Sequence, residues 1–288
     1  MFTATLVTNP AMFLEPALVG ALRNAMGGGE VTWLHPDCAA EFPVKSVPKN
    51  IDAVWESLQA EGVDLVVQPG ANRRKRLLLA DMDSTMIQQE CIDELAEAAG
   101  HGDAVRAVTA RAMNGELDFE DALRERVAVM KGLPEAVIDE VLKTRITMMP
   151  GGATLVATMK AQGAYTALVS GGFTAFTEKV AARLGFDENR ANVLVSEKGV
   201  LTGTVADPVL GRQAKVDALA DLTARLGIGA GDVLAIGDGA NDLGMLSAAG
   251  LGVAVHAKPA VQAEARHRIN HGDLTALLYV QGYAQAEF

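Results

Sequence analysis

The sequence predicts an α/β protein with a doubly wound, mostly parallel sheet, an inserted helical cap and a small N-terminal α+β domain. Three observations support this prediction. Short apolar runs recur along the chain, and helical patterns separate them, as expected of strands buried in a parallel sheet. In addition, about 90 residues separate Asp81 from Ser170, whereas one strand–helix–strand unit needs only about 30.

The first 72 residues predict the small α+β domain. Strands are predicted at 4–7, 31–34 and 65–68, and helices at 12–26 and 51–59. This stretch carries no chemical motif. A basic run at 72–76 follows it, for which we expect a solvated linker, with phosphate binding as the alternative.

Residues 73–288 predict the α/β core. Its strands are predicted from the apolar runs 77–80, 165–169, 233–236 and 252–255, and its helices from the patterns 173–184, 215–226 and 242–249. Two short apolar runs around 197–199 indicate a β-hairpin. Strands that alternate with helices imply right-handed crossovers in one open sheet.

The cap is predicted at about 87–148, after the first core strand. Ile92, Leu95 and Ala96 recur at helical spacing. Phe119, Leu123 and Met130 form a second stripe. We expect these helices to cover the carboxyl ends of the strands.

Composition limits the classes of function. The 288 residues carry a formal net charge of −11, which disfavours binding to nucleic acid because that requires basic surface. The two cysteines, Cys38 and Cys91, are too few for a disulfide framework. No leader pattern and no run of about 20 apolar residues is present, so we expect a cytoplasmic protein without a membrane partner.

Acidic residues follow two predicted strands. Asp81 and Asp83 come directly after 77–80, and Asp238 and Asp242 come after 233–236. Ligands of open α/β sheets bind at the carboxyl ends of strands, and clustered carboxylates favour a hard cation such as Mg²⁺. Alternatively, each aspartate caps a helix or starts a turn. For Asp242 alone, that reading is acceptable.

Ser170, Gly171 and Gly172 follow the strand predicted at 165–169 and precede a helix. Glycines and a helix N-terminus together favour phosphate, although an ordinary serine cap is equally consistent with this segment. Lys215, at the start of another predicted helix, is a candidate positive charge for that phosphate.

These motifs, in this order, resemble those of the haloacid-dehalogenase-like phosphatase superfamily, and the cap resembles members that act on O-phosphoserine. The resemblance covers about 77–278. It implies that Asp81 is the nucleophile and Asp83 the general acid and base. It also implies that Asp81, Asp238 and the main chain of Asp83 hold Mg²⁺. The remaining implied roles are phosphate binding by Ser170, Gly171 and Lys215, and orientation by Asn241 and Asp242. At the position of residues 1–72 some relatives carry a small regulatory ACT-like domain.

Two charged cap residues are candidates for recognising the substrate. Arg126 falls on the apolar stripe of Phe119, where a charge is costly unless paired. A partner acid within the cap and a substrate carboxylate are both consistent with this position. Glu90 is the candidate for the substrate ammonium, or alternatively a helix-start carboxylate. The resemblance favours substrate binding for both, with Met113 and Phe119 as pocket walls or as core residues.

The sequence therefore predicts a Mg²⁺-dependent phosphatase that hydrolyses O-phosphoserine, the last step of serine biosynthesis. One alternative is a related phosphatase or phosphotransferase for another small phosphorylated metabolite. The other is a non-catalytic metabolite sensor, which the intact acidic motifs oppose. The expected partner is the small-molecule substrate, and the sequence leaves open whether the chain forms a homodimer.

Overall fold

The computed structural model describes residues 1–113 and 116–288, without the side chain of Met113. Its N-terminal unit has the order β1 (Phe2–Thr8), α1 (Pro16–Ala25), β2 (Thr32–His35), β3 (Ala39–Val44), α2 (Ile51–Ala60) and β4 (Val63–Pro69). The four strands form one sheet in the order β2-β3-β1-β4, and all neighbouring strands in it are antiparallel.

Strand β3 was missed in the sequence analysis, which placed no element between 34 and 51. It pairs with both β1 and β2. Its residues include a glutamate and a proline, Glu41 and Pro43, which are depleted in strands. The strand forms because its alternate side chains, such as Phe42, pack into the core of this unit, so packing outweighs local preference.

The second sheet has six parallel strands in the order β12-β11-β10-β5-β6-β7. The strands are β5 (Leu77–Ala80), β6 (Tyr165–Phe173), β7 (Glu188–Asn192), β10 (Val233–Gly237), β11 (Leu251–Val255) and β12 (His267–Ile269). The helices between and after them are α7 (Gly152–Ala161), α8 (Thr174–Leu184), α9 (Arg212–Leu226), α10 (Leu243–Ala248), α11 (Pro259–Glu264) and α12 (Ala276–Val280). The predicted α/β class is confirmed.

Among the described residues, four helices lie between β5 and α7, where the cap is predicted. They are α3 (Cys91–Ala98), α4 (Gly102–Met113), α5 (Phe119–Ala128) and α6 (Ala136–Thr144). The predicted hairpin consists of β8 (Leu194–Glu197) and β9 (Val200–Val205), which pair antiparallel. The hairpin holds the cap by backbone hydrogen bonds, since Leu201 accepts from Gly132 (2.9 Å) and donates to Leu133 (2.8 Å).

The N-terminal unit is docked on the core by buried polar contacts. Asp64 of β4 is fully buried and accepts backbone N–H groups of Asn270, His271 and Gly272 at 2.8–2.9 Å. Burial raises the pKa of Asp64 above its usual value. These three bonds satisfy the carboxylate, so removing it would leave three buried donors without an acceptor.

The basic run at 72–76 is not a solvated linker, which corrects the expectation above. Arg73 forms an ion pair with Glu41 and donates to the carbonyl of Val280. Lys75 is buried and its Nζ donates to the carbonyls of Asn72 (2.6 Å) and Gly231 (2.8 Å). Carbonyl groups and a carboxylate take the place of water as hydrogen-bond partners of these two cations. The contacts therefore hold the segment against the core.

Both cysteines are buried free thiols, as their number predicted. Among the helices of the described ranges, none combines the length and the apolar character needed to cross a bilayer.

Candidate active site

The acidic residues predicted at two strand ends meet in the structure. Strands β5 and β10 are parallel neighbours, with Ala80 in register with Ile236, so their carboxyl ends lie side by side. Carboxylate oxygens of Asp81, Asp238 and Asp242 lie within 4.8 Å of one another. Burial and the neighbouring acids raise the pKa of Asp81 well above its usual value, and burial, followed by Glu90, raises that of Asp238 to about 6.

This donor set fits a divalent cation. Three buried carboxylates repel one another, and a bound cation would remove both that repulsion and part of the cost of burial. Oxygen ligands on short side chains suit a hard ion. The chemistry of the cluster therefore supports a metal centre at the edge formed by β5 and β10.

Lys215 bridges two of these acids. Its Nζ lies 2.6 Å from Oδ1 of Asp81 and 2.6 Å from Oδ1 of Asp242, and the side chain is 2% exposed. Burial alone would lower the pKa of Lys215, but the two carboxylates outweigh it and raise the pKa above its ordinary value. Lys215 is therefore a fixed, desolvated cation beside Asp81.

Asp242 does not act as a helix cap, although it precedes α10. Its side chain makes no capping hydrogen bond to that helix. Instead, Oδ2 accepts the backbone N–H of Gly239 (3.0 Å) and Oδ1 accepts from Lys215. A side chain at Gly237 would overlap the carboxyl group of Asp242, so the glycine of this turn makes room for the acid.

Asp83 lies apart from the three clustered acids and turns toward the phosphate-binding candidates. Its Oδ1 accepts the backbone N–H of Cys91 (2.8 Å) and its Oδ2 accepts the hydroxyl of Ser170 (3.2 Å). Burial, followed by the negative charge of Glu90, raises the pKa of Asp83 to about 6. A carboxyl group with such a pKa can both give and take a proton near neutral pH.

The loop Ser170–Gly172 continues β6 rather than starting a helix. The strand extends to Phe173 and α8 begins at Thr174, one residue later than predicted, with no side-chain cap. Ser170 therefore does not cap α8; its Oγ accepts the N–H of Gly172 at 2.8 Å. A Cβ at Gly172 would lie 2.7 Å from Oδ2 of Asp83, so only glycine allows this close approach.

A buried asparagine that the sequence analysis missed fixes this loop. Asn192, at the end of β7, donates from Nδ2 to the carbonyl of Gly171 (2.8 Å). It also accepts the N–H of Leu210 at Oδ1 (2.7 Å). Asn192 thus ties the Ser170 loop to the segment that leads into α9 and Lys215. No local pattern marks it, because its two partners lie far away in the sequence.

Glu90 stands at the start of α3 but does not cap it. Its Oε1 accepts the hydroxyl of Ser84 (3.0 Å), and its side chain is 42% exposed. The carboxylate makes no capping hydrogen bond to α3, but an interaction with the helix dipole needs none, so the alternative of a helix-start carboxylate stays open. Its position beside the cavity leaves it available to a cationic group.

Arg126 has no ion pair in the part of the chain that the structure describes, although the charge of Asp93 in the cap helix α3 acts on it. Its Nε donates to the carbonyl of Ala122 (3.2 Å), and burial lowers its pKa even though Asp93 and Glu90 oppose this. In contrast, Arg124 pairs with Glu120 (2.6 Å) and Asp207 (2.5 Å). A half-buried guanidinium that forms no direct ion pair among the described residues is available to an anionic ligand.

One cavity of about 540 Å³ collects these groups. Its lining includes Asp81, Asp83, Glu90, Phe119, Arg126, Ser170, Gly171, Asp238 and Asn241. Phe119 is 38% exposed, so it is a wall rather than a core residue, and it lies directly over Gly171 and Gly211. Met113 ends α4, but its side chain lies outside the described residues.

Two basic residues of the cavity wall were not predicted. Arg212 is the first residue of α9, and Lys258 follows β11; both line the cavity. Ligands of open α/β sheets bind at the carboxyl ends of the strands. Because Lys258 follows the apolar run at 252–255, this rule could have identified it as a site residue.

Comparison with known proteins gives one family. The sequence model of haloacid dehalogenase-like hydrolases matches residues 78–247. The chain is 46% identical over 208 residues to the phosphoserine phosphatase of a Polaromonas species. This alignment covers 70% of this chain and 88% of the relative. The chain is 43% identical over 257 residues to the phosphoserine phosphatase of Streptomyces coelicolor, which covers 88% of this chain. The chain spans only 62% of the length of this second relative.

A solved structure resembles the whole chain. A HAD family hydrolase from Salmonella enterica serovar Typhi superposes with a TM-score of 0.88 at 29% sequence identity, covering 100% of this chain and 99% of that one. The likeness includes the N-terminal sheet and the cap as well as the parallel core.

Proposed function

The chain belongs to the haloacid dehalogenase-like hydrolase family, and from this premise we propose that it hydrolyses O-phosphoserine to serine and inorganic phosphate. The observation that carries the proposal is the content of the single cavity described above. Its lining combines Asp81 and Ser170, which suit a phosphoryl group and which we call the phosphate end, with Glu90 and Arg126, which suit an amino acid and which we call the amino-acid end. The names of the Polaromonas and Streptomyces relatives support the same substrate.

At the phosphate end, Asp81 is the proposed nucleophile. Its carboxylate oxygen attacks phosphorus and forms an aspartyl-phosphate while the serine oxygen leaves, which divides one difficult displacement into two easier ones. Ser170, the N–H of Gly171 and Lys215 hold the phosphoryl oxygens and stabilise their developing charge. Asn192 keeps the Gly171 loop in place, and Asp242 keeps Lys215 beside Asp81.

Asp83 is the proposed general acid and base. Protonated, it delivers its proton to the departing serine oxygen; ionised, it then takes a proton from the water that hydrolyses the aspartyl-phosphate. The pKa of about 6 suits both roles because either form is accessible near neutral pH. The hydroxyl of Ser170 and the N–H of Cys91 orient the carboxyl group.

Asp81 and Asp238, with the main chain of Asp83, are the proposed ligands of Mg²⁺, and Asn241 and Asp242 support them. The ion, when bound, neutralises negative charge on the carboxylates and on the phosphoryl group. The raised pKa of Asp81 and of Asp238 supports a cationic occupant.

At the amino-acid end, Arg126 binds the substrate carboxylate and Glu90 binds the ammonium. A guanidinium can hold a carboxylate through two parallel hydrogen bonds. Phe119 forms the wall of the cavity between the cap and the Gly171 loop. These contacts select phosphoserine over phosphates that lack an amino-acid head group.

A panel of phosphorylated metabolites tests the proposed substrate. With Mg²⁺ present, we expect kcat/KM for O-phosphoserine to exceed that for sugar phosphates by at least ~100-fold, the scale of losing two charged contacts. Release of inorganic phosphate is the measurement. A sugar phosphate hydrolysed as well as phosphoserine would contradict the assignment.

Arg126→Ala is expected to lower kcat/KM for phosphoserine by ~30- to 150-fold, about 2–3 kcal/mol for a lost charged hydrogen bond. Hydrolysis of p-nitrophenyl phosphate, which has no carboxylate, should change much less. Arg124→Ala is the matched control, because Arg124 lies on the same helix and pairs with Glu120 and Asp207. Equal losses with both substrates would assign Arg126 a structural role.

The metal site predicts a dependence on pH. Because the pKa of Asp238 is raised to about 6 in the folded, metal-free protein, Mg²⁺ must displace a proton below that pH, and its apparent affinity falls up to ~10-fold per pH unit. The same shift in the pKa of Asp238 means that the metal-free protein loses stability as the pH rises from the usual pKa of an aspartate toward 6. The rise in Tm caused by Mg²⁺ should therefore be larger at about pH 7.5 than at about pH 5. An equal rise at both, or a rise retained by Asp238→Asn, would contradict this assignment.

A further inference from the structure

Lys258, like Arg212, is a basic residue of the cavity wall to which the proposed mechanism assigns no role. It precedes α11, and its backbone N–H donates to the carbonyl of Asp238 (3.4 Å). This bond holds the backbone of Lys258 next to the acidic cluster. The side chain is 59% exposed and lines the same cavity as the reacting groups.

Its ammonium lies between two acids of different proposed function. Nζ is 4.0 Å from Oε1 of Glu90 and 3.9 Å from Oδ2 of Asp238. The contact to Glu90 crosses from the core to the cap side of the cavity, since Glu90 precedes the first cap helix. In this arrangement Lys258 neutralises part of the charge of Glu90 when the cavity holds no substrate.

The charge of Glu90 reaches the phosphate end of the cavity. Oε1 of Glu90 and Oδ2 of Asp238 both lie against the ammonium of Lys258, so these two oxygens are no more than about 8 Å apart. A negative charge felt there also repels a phosphate dianion. An unneutralised Glu90 would therefore weaken the binding of any phosphorylated molecule that brings no cation of its own.

We propose that Lys258 is a specificity-determining residue. Its ammonium and the ammonium of the substrate both interact with the carboxylate of Glu90, and this competition sets how strongly the enzyme prefers phosphates that carry an ammonium group. This inference rests on the proposed function. Phosphoserine supplies its own ammonium to Glu90, and Lys258 competes with it for the same carboxylate. A phosphate without that ammonium depends on Lys258 to relieve the repulsion.

The consequence is that Lys258 broadens the range of accepted substrates. Removing its charge penalises the deamino analogue of phosphoserine, 3-phosphooxypropanoate, more than phosphoserine itself. Effects of Lys258 on Asp238 act on both substrates alike, because both carry the same phosphoryl group. The ratio of the two kcat/KM values therefore isolates the contact with Glu90.

The experiment compares kcat/KM for phosphoserine and 3-phosphooxypropanoate in the wild type, Lys258→Met, Lys258→Arg, Glu90→Gln and the double variant Glu90→Gln with Lys258→Met. We expect Lys258→Met to raise the ratio of phosphoserine to the analogue by ~2- to 5-fold, the scale of a half-exposed ion pair. Lys258→Arg keeps the charge and should restore the wild-type ratio. In the Glu90→Gln background, Lys258→Met should leave the ratio unchanged.

Three results would overturn the inference, and they are distinguishable. If the wild type hydrolyses phosphoserine but Lys258→Met leaves the ratio unchanged or lowers it, Lys258 has no part in specificity and the proposed function stands. If the wild type does not hydrolyse phosphoserine, the proposed function fails and the inference fails with it. A change of ratio that persists in the Glu90→Gln background also contradicts the role, because it would not depend on Glu90.

Discussion

Asp81→Asn is expected to lower kcat for phosphoserine by more than ~10⁴-fold, the scale of removing a catalytic nucleophile. An amide oxygen is a poor nucleophile, so the aspartyl-phosphate cannot form. The substitution keeps the size of the side chain and removes a carboxylate whose ionised form is destabilised by burial and by Asp242. We therefore expect the variant to fold with a stability close to that of the wild type.

Phosphate release and the intact mass of enzyme quenched with acid during turnover check this result. Acid-quenched wild-type enzyme should carry a phosphoryl group by intact mass, and Asp81→Asn should carry none. Asp217→Asn is the matched control, since Asp217 is an exposed aspartate of α9 whose carboxylate contacts Gln213, and it should retain full activity. Turnover or a phosphoryl adduct in Asp81→Asn would exclude Asp81 as the nucleophile.

Lys215→Met is expected to abolish measurable turnover and to destabilise the fold by about 3–5 kcal/mol in metal-free buffer, the cost of breaking a buried ion pair. The ammonium contacts Asp81 and Asp242 at 2.6 Å each. Without it, two buried carboxylates face each other with no counter-charge. Urea unfolding with a chelator present measures the loss of stability, and phosphate release measures the loss of activity.

A second substitution separates the two roles of Lys215. Adding Asp242→Asn to Lys215→Met removes one of the uncompensated charges, so most of the lost stability should return. Activity should not return, because the phosphoryl oxygens still lack the ammonium. Recovery of turnover in the double variant would show that Lys215 acts only by stabilising the fold.

The chemistry of this protein was largely predictable from its sequence. Asp81 and Asp238 each follow an apolar strand, and parallel strands bring their carboxyl ends to one edge of the sheet, so the pattern predicts that these acids meet if the two strands are neighbours, as β5 and β10 are. The position of Arg126 on the stripe of Phe119 follows from 3.6 residues per turn. Both inferences need only local periodicity and the topology of the sheet.

Other features depended on contacts between distant segments. The short strand β3 carries residues with poor strand propensity and forms because Phe42 is buried against the other strands of its sheet. Asn192 fixes the Ser170 loop through hydrogen bonds to the main chain of Gly171 and Leu210. The basic segment around Arg73 is pinned by Glu41 and Val280. No local pattern identifies such partners, because they are defined only once the chain has packed.

By itself, the sequence determined the fold class and which side chains carry charge to the ends of the strands, because hydrophobic periodicity and the succession of strands and helices can be read along the chain. Only the tertiary structure decided which of those charged side chains contact one another. It placed Lys215 between Asp81 and Asp242, left Arg126 without an ion pair among the described residues, and set Lys258 between Glu90 and Asp238. Electrostatic interactions depend on distance and burial, and both are set by packing between segments far apart in the chain.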